Sequence, residues 1–64
     1  MSDEELAAQL LADLDVDLPT GTLAQQLAWL DDVRRDIDGW GLEEFQRAPL
    51  LAGLEALRRV LQRG

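Results

Sequence analysis

Apolar residues recur at helical spacing along three stretches of the chain, and the first stretch covers about residues 3–14. Its apolar positions fall on one face of a helix with 3.6 residues per turn. They are Leu6, Ala7, Leu10, Leu11 and Leu14. Ser2 stands just before this stretch and Glu5 three residues later, which is the spacing of an N-terminal capping box. The pattern predicts a first helix that begins directly after Ser2.

The second stretch covers about residues 22–38 and opens on another capping-box pair, Thr22 with Gln25. Its apolar residues follow one another at steps of four, three, three and four, which is one stripe along a helix. They are Leu23, Leu27, Leu30, Val33 and Ile37. The stripe ends at the sequence "DGWG", where Gly39 suits the position that follows a helix. The pattern predicts a second helix over this range.

The third stretch covers about residues 49–62, with Leu50, Leu54, Leu57 and Leu61 as its main apolar row. Gly53 widens that face, and its missing side chain allows a neighbouring backbone to come close. Pro49 disfavours helix at the residue before it and suits the first position of a helix. The sequence therefore predicts a helix from Pro49, preceded by a separate turn or short helix at about residues 42–47.

The three patterns together predict an all-α fold in one domain that spans residues 1–64. The expected architecture is a small three-helix bundle, with or without a short fourth segment, or a helical hairpin completed by self-association. Short connections favour antiparallel sequential neighbours. A chain of 64 residues buries only about 60% of the surface of its unfolded form, so its core is small. Because the chain has no Cys and no His, a partner chain is the expected additional support.

The stretch "DLDVDLPTG" at residues 13–21 resembles a calcium loop in part. Asp13, Asp15 and Asp17 occupy the first three ligand positions of a D-x-[DN]-x-[DN]-G loop. However, the sixth position is Leu18 instead of Gly, and the twelfth is Ala24 instead of Glu. The pattern favours an extended connector with its apolar residues inward, and we expect no metal site. A metal-responsive module that uses the three aspartates remains a weaker alternative.

The chain contains few side chains that could take part in catalysis. It contains no His, Cys, Lys or Tyr, and its hydroxyl groups are those of Ser2, Thr20 and Thr22. A nucleophile needs a base beside it, and carboxylates are the bases at hand. The sequence therefore predicts no catalytic residue, no cofactor and no enzyme activity.

The two tryptophans are the strongest indication of a binding surface. Trp29 and Trp40 are eleven residues apart, so they point in similar directions if one helix carries both. Tryptophan is enriched at the energetic centres of interfaces. The predicted interface residues are Trp29, Trp40, Val33, Arg34, Phe45 and Leu51. A second interpretation, in which both tryptophans fill the core, remains open.

The net charge of −7 is unevenly distributed. Residues 1–32 carry eight acidic and no basic side chains, whereas residues 33–64 carry six Arg and five acids. Phosphate binding requires a basic surface, so direct contact with nucleic acid or anionic lipid is not expected. The acidic start and the absence of a run of about 20 apolar residues predict a cytoplasmic protein without a membrane segment.

These observations predict a small acidic helical module for protein–protein interaction, such as an accessory subunit, an adaptor or an oligomerisation domain. The expected partner is another protein, in a homo-oligomer or a larger complex. An alternative is an acidic inhibitor that mimics nucleic acid and blocks a basic nuclease or DNA-binding protein.

Overall fold

A computed structural model of the chain describes residues 2–63. It contains three helices, α1 (Asp3–Leu14), α2 (Leu23–Gly39) and α3 (Glu44–Arg63), and no strand within that range. The predicted all-α, three-helix fold is confirmed. No helix within the described range has both the length and the apolar character that a bilayer span requires.

The first two helices begin at the predicted caps. The Ser2 Oγ accepts a hydrogen bond of 3.2 Å from the Glu5 amide, which is one of the two bonds of the predicted capping box. At the start of α2, the Thr22 Oγ1 accepts from the Gln25 amide at 3.1 Å, and the Gln25 Oε1 accepts from the Thr22 amide at 2.9 Å. Thus α2 has both bonds of a capping box. A cap of this kind contributes about 1 kcal/mol, which fixes where each helix starts.

Helix α1 ends within the "DLDVDLPTG" stretch, at a residue in the left-handed conformation. Asp15 has φ 55° and ψ 45°, which aspartate tolerates better than most residues. Its amide donates to the Ala12 carbonyl, and the Val16 amide donates to the Leu11 carbonyl, each at 3.1 Å. This pair of bonds is a Schellman motif. Asp15 therefore serves as the C-terminal cap of α1.

The end of α2 differs from the prediction. Gly39 was expected to follow the helix, but α2 continues through Gly39, and Trp40 keeps helical backbone angles. The Trp40 amide still donates to the Ile37 carbonyl at 3.2 Å. The left-handed turn comes at Gly41, with φ 69°. The second glycine of "DGWG" therefore ends the helix, because the backbone reverses only after Trp40.

The start of α3 also differs from the prediction. The expected separate segment at residues 42–47 is part of α3, and Pro49 lies inside the helix rather than at its start. The Glu43 carbonyl accepts from the Gln46 and Arg47 amides at 3.0 and 2.9 Å, which starts the helix one turn before the proline. Pro49 removes only the bond to the Phe45 carbonyl. Both residues are exposed, so water can satisfy that carbonyl.

Helix α3 packs against both other helices, more extensively against α1 than against α2. The core consists of Ala7, Leu10, Leu30, Ile37, Leu54 and Leu57. Each of the three predicted apolar faces contributes to it. Ile37 is fully buried and Leu30 is 2% exposed, so the stripe of α2 is centred on these two residues.

The contact between α1 and α3 is close enough to require a glycine. A Cβ atom built on Gly53 would lie 2.7 Å from the Cβ of Leu10 and 3.3 Å from the Leu6 carbonyl oxygen. Real Cβ atoms essentially never approach a neighbour to less than 3.0 Å. The predicted close approach at Gly53 is therefore confirmed, and α1 is the helix that makes it.

Helix α1 runs in the direction opposite to α3. At its first turn, Asp3 pairs with Arg59 and Arg63 near the end of α3. Two turns later, Leu10 lies beside Gly53, which comes earlier in α3. Moving forward along α1 therefore means moving backward along α3.

Helix α2 also runs opposite to α3. Asp31 pairs with Arg58, and Asp38, two turns further along α2, pairs with Arg47. Since α1 and α2 both oppose α3, they run in the same direction as each other. The expected antiparallel arrangement of α1 and α2 is wrong, whereas α2 and α3 are antiparallel as predicted.

The connector between α1 and α2, residues 15–22, makes this arrangement possible. Eight extended residues reach about 26 Å, which exceeds the length of about 18 Å of α1. The connector can therefore return along the molecule to the start of α2. Leu18 packs against the core, and the Gln26 Nε2 donates to the Pro19 carbonyl at 3.1 Å. These contacts attach the connector to α2.

Candidate functional site

Helices α1 and α2 do not pack directly on each other. Within the described residues, no Cα atom of α1 lies within 8 Å of a Cα atom of α2. An open groove with a volume of about 240 Å³ lies between the end of α1 and the second half of α2. Its lining residues are Leu14, Val16, Trp29, Val33, Asp36 and Trp40. We call this feature the α1–α2 groove.

One wall of the groove is a row of side chains along α2. Trp29, Val33, Asp36 and Trp40 stand at positions i, i+4, i+7 and i+11, which share one helix face. At 1.5 Å per residue, the row is about 16 Å long, or three helical turns. Both tryptophans therefore belong to a single surface, as their spacing predicted.

The tryptophans differ in how much of each side chain the core covers. Trp29 is half-buried and packs against the core, as does Val33. Trp40 is 54% exposed. Trp29 therefore belongs partly to the core and partly to the surface, whereas the Trp40 ring mainly faces the groove.

The opposite wall is formed at the end of α1. Leu14 is the last residue of the helix, and Val16 follows the left-handed Asp15. The Schellman motif fixes the turn between them and thereby sets the direction in which Val16 points. Val16 is 40% exposed and Leu14 is half-buried, so this wall is also apolar and accessible.

The structure places three of the six predicted interface residues together. Trp29, Val33 and Trp40 line the groove, whereas Arg34 and Phe45 are exposed outside its lining. The remaining residue, Leu51, is half-buried against the core. The interface role predicted for the six stays a prediction, and the groove supports it for Trp29, Val33 and Trp40 but not for Arg34, Phe45 and Leu51.

Three lining residues were not predicted from the sequence. The sequence pattern places Leu14 on the core face of α1 and Val16 on the inward side of the connector, and it indicates no surface role for Asp36. The spacing of Asp36 from Trp29 and Trp40 was the available signal. Leu14 and Val16 could not be found in this way, because their place depends on where α1 lies relative to α2.

One carboxylate lies in the groove lining, and two more belong to residues next to a lining residue in the chain. Asp36 lines the groove, and the exposed Asp15 and Asp17 flank Val16 in the chain, with Cα atoms about 3.8 Å from that of Val16. Helices α1 and α2 also end on this side of the molecule, because they run in the same direction. The C-terminal end of a helix carries a partial negative charge. Asp36 and the two helix ends therefore give the groove a negative border, and Asp15 and Asp17 add negative charge in the neighbouring connector.

The nearest arginines in the chain point elsewhere. Arg34 and Arg35 follow Val33 by one and two residues, which turns their side chains about 100° and 200° around α2 from it. Arg35 pairs with Asp32 at 3.4 Å. Neither arginine lines the groove.

Five of the six arginines form ion pairs with carboxylates of the same chain. The pairs are Arg35 with Asp32, Arg47 with Asp38, Arg58 with Asp31, Arg59 with Asp3, and Arg63 with both Asp3 and Glu4. Among residues 2–63, these pairs involve none of the carboxylates at positions 13, 15, 17 and 36. Four of the six arginines lie on α3, which contributes no residue to the groove lining.

The ion pairs between α1 and α3 change the acidity of one carboxyl group. Hydrogen bonds from Arg59 to Asp3, each 3.1 Å long, hold the pKa of Asp3 below its ordinary value, and the charge of Arg63 acts in the same direction. The same bonds raise the pKa of Arg59 further. This cluster therefore links the first turn of α1 to the end of α3 in a pH-dependent way.

The part of the chain described by the structure contains no group of three or more side chains arranged to hold a metal ion. Asp13, Asp15 and Asp17 are exposed, and Asp15 caps α1. The same residues 2–63 contain no buried polar or charged side chain. The geometry is therefore that of an apolar surface with an acidic border.

Comparison of the chain with protein-family models, with curated proteins and with solved structures finds no significant match. The function is therefore inferred from the physical properties of the groove.

Proposed function

We propose that this protein is a small protein–protein interaction module that docks its partner in the α1–α2 groove. One observation carries the proposal: Trp29 and Trp40 share an open apolar surface between two helices that do not pack on each other. Partly exposed tryptophans in a concave apolar surface are typical of interface centres. The partner would fill the gap between α1 and α2, which do not pack on each other.

The size of the groove favours side chains of a partner over a small molecule. Its volume of about 240 Å³ is below the roughly 300–1,000 Å³ of pockets for small ligands. It can instead receive one or two apolar side chains from a partner surface. An interaction with another protein therefore fits better than a bound metabolite.

Trp40 could contribute substantially to such an interaction. A buried Trp covers roughly 200 Å², and 54% of Trp40 is still exposed. Covering that remainder at about 25 cal/mol per Å² would contribute roughly 2.5 kcal/mol. One side chain of this kind can dominate a small interface.

The roles that fit this proposal are an accessory subunit, an adaptor or an oligomerisation domain in a larger complex. A foreign protein in the groove corresponds to the first two roles, and a second copy of the chain corresponds to the third. The solution mass of the chain separates these cases.

A binding measurement tests the proposal. Proteins captured with the tagged chain would be purified, and their dissociation constants measured for the wild type, Trp40→Ala and Phe45→Ala. Phe45 is 75% exposed and lies outside the groove lining, so it is a matched aromatic control. We expect Trp40→Ala to weaken binding at least tenfold and Phe45→Ala to leave it nearly unchanged, given the roughly 2.5 kcal/mol above. Equal affinities for the wild type and Trp40→Ala would contradict the proposal.

The second candidate function is an acidic inhibitor of a nucleic-acid-binding protein. It is favoured by the exposure of Asp13, Asp15 and Asp17, none of which takes part in the ion pairs among the described residues. Such a complex would weaken steeply as salt screens the charges. A complex held by the groove would instead depend on Trp40, so loss of binding with Trp40→Ala separates the two functions.

A further inference from the structure

We infer that the occupant of the α1–α2 groove is an amphipathic helix of another protein, with basic residues beside its apolar face. This inference rests on the proposed function, because it takes the groove to be the docking surface. It adds the chemical class of the partner, which follows from the shape, the charge and the ion pairs described above.

The shape of the groove favours a helix. Its longer wall is a straight row along α2, about 16 Å long, which matches three turns of a second helix packed beside it. A peptide that binds by adding a strand requires an exposed sheet edge. Residues 2–63 contain no strand, so they offer no such edge. A helix instead places apolar side chains at every third or fourth position into a groove of this kind.

The charge of the groove favours basic residues on that helix. Asp36 stands within the lining, Asp15 and Asp17 are the chain neighbours of Val16 in the opposite wall, and the C-terminal ends of α1 and α2 add partial negative charge. An acidic helix would bring like charges against Asp36 and the helix ends, which is unfavourable. Lys or Arg next to the apolar positions would instead pair with these carboxylates, and would increase the rate of association.

A second copy of this chain does not supply these cations. Five of its six arginines already pair with carboxylates of their own chain, and Arg34 is the one that the pairs among residues 2–63 leave out. Two copies, each with a net charge of −7, would also repel each other. The partner is therefore a different protein, or a segment of one, with a positive charge.

The inference can be tested without knowing the natural partner. The probes are two synthetic amphipathic peptides of about 18 residues, long enough to form helix on binding. Both carry the same leucine face, and the polar face is lysine in one peptide and glutamate in the other. Binding is followed by NMR through the indole N–H signals of Trp29 and Trp40, which report on the groove directly. The backbone amide spectrum shows whether each variant is folded.

We expect the lysine peptide to shift both indole signals and the glutamate peptide to shift neither at the same concentration. Asp17→Asn combined with Asp36→Asn should weaken binding of the lysine peptide roughly three- to tenfold. The matched control combines Glu5→Gln with Glu55→Gln, which removes the same charge at exposed positions outside the groove lining. The control should change the affinity less than twofold, roughly, because exposed charges at a distance are screened.

Several outcomes would overturn the inference. It is wrong if both peptides bind equally, if neither shifts the indole signals, or if both pairs of substitutions weaken binding by the same factor. The proposed function fails separately, when Trp40→Ala does not weaken binding of a captured natural partner. If that partner depends on Trp40 but not on Asp17 and Asp36, the groove is a docking site and the basic helix is the wrong occupant.

Discussion

The two sides of α1 are built in different ways. On the side of α3, the helices approach so closely that Gly53 has no space for a Cβ atom, and Asp3 adds ion pairs at the first turn. On the side of α2, no Cα atom of α1 lies within 8 Å of a Cα atom of α2 among the described residues, and an apolar groove lies open between the two helices. The comparison shows that α1 completes one helix contact and leaves the other open.

The largest expected effect comes from removing a side chain on the closed side. Leu10→Ala truncates a residue that is 2% exposed and packs beside Gly53. We expect a loss of about 2–5 kcal/mol in the free energy of unfolding, measured with urea. Val16→Ala on the open side is the control and should cost less than about 1 kcal/mol, since Val16 is 40% exposed. Equal losses would mean that the two sides do not differ.

The second effect comes from adding one methyl group to the closed side. Gly53→Ala would force its Cβ within 2.7 Å of Leu10, so α1 must move away from α3. We expect the free energy of unfolding to fall by about 1–3 kcal/mol, although alanine favours helix over glycine. Gly39→Ala is the control, because nothing lies within 4 Å of its added Cβ. That variant should be neutral or slightly more stable in the same urea experiment.

A smaller effect on stability is expected on the open side. Trp40→Ala removes a side chain that is already 54% exposed, and we expect the midpoint of thermal unfolding to fall by only a few degrees. Its effect on partner binding should be much larger. A variant that unfolds at room temperature in circular dichroism would show that Trp40 belongs to the core and would contradict its role as a free surface.

The smallest effect is the pH dependence of the ion pairs between α1 and α3. Because the pKa of Asp3 is lowered by folding, its contribution to stability is present above the ordinary value of 3.8 and is lost as the pH falls through the lower pKa of the folded state. Asp3→Asn should therefore reduce stability at neutral pH and make little difference in strong acid. The measurement is urea unfolding of both proteins from pH 2 to pH 7, at low and high salt.

On the open side, Asp36→Asn serves as the comparison for Asp3→Asn. It removes a carboxylate near the negative end of α2, so we expect stability at neutral pH to be unchanged or slightly higher. If both substitutions destabilise the fold to the same extent, the charges on the two sides of α1 do not have different roles.

Local features of the fold could be predicted from the sequence. The caps at Ser2 and Thr22 depend on side chains three residues apart, and the apolar faces depend on helical spacing, so both are visible in the sequence alone. Gly53 was also predictable, because a glycine within an apolar helix face allows a close contact. These features do not depend on the direction of the other helices.

Features that depend on distant contacts could not be predicted. The shared direction of α1 and α2 results from the way both pack on α3, and the groove exists only because of that arrangement. The continuation of α3 through Pro49 depends on the turn at Glu43, which starts the helix earlier. The spacing of Trp29 and Trp40 indicates a shared surface. Leu14 and Val16 lie on the same surface only because α1 and α2 run in the same direction, which the sequence does not show.

The solution mass of the chain across a range of concentrations tests the central claim most directly. The account predicts a folded monomer of 7.1 kDa, with the α1–α2 groove free for a basic partner. A stable dimer that Trp40→Ala converts to a monomer would show that a second copy occupies the groove, and would contradict the inference of a basic foreign partner.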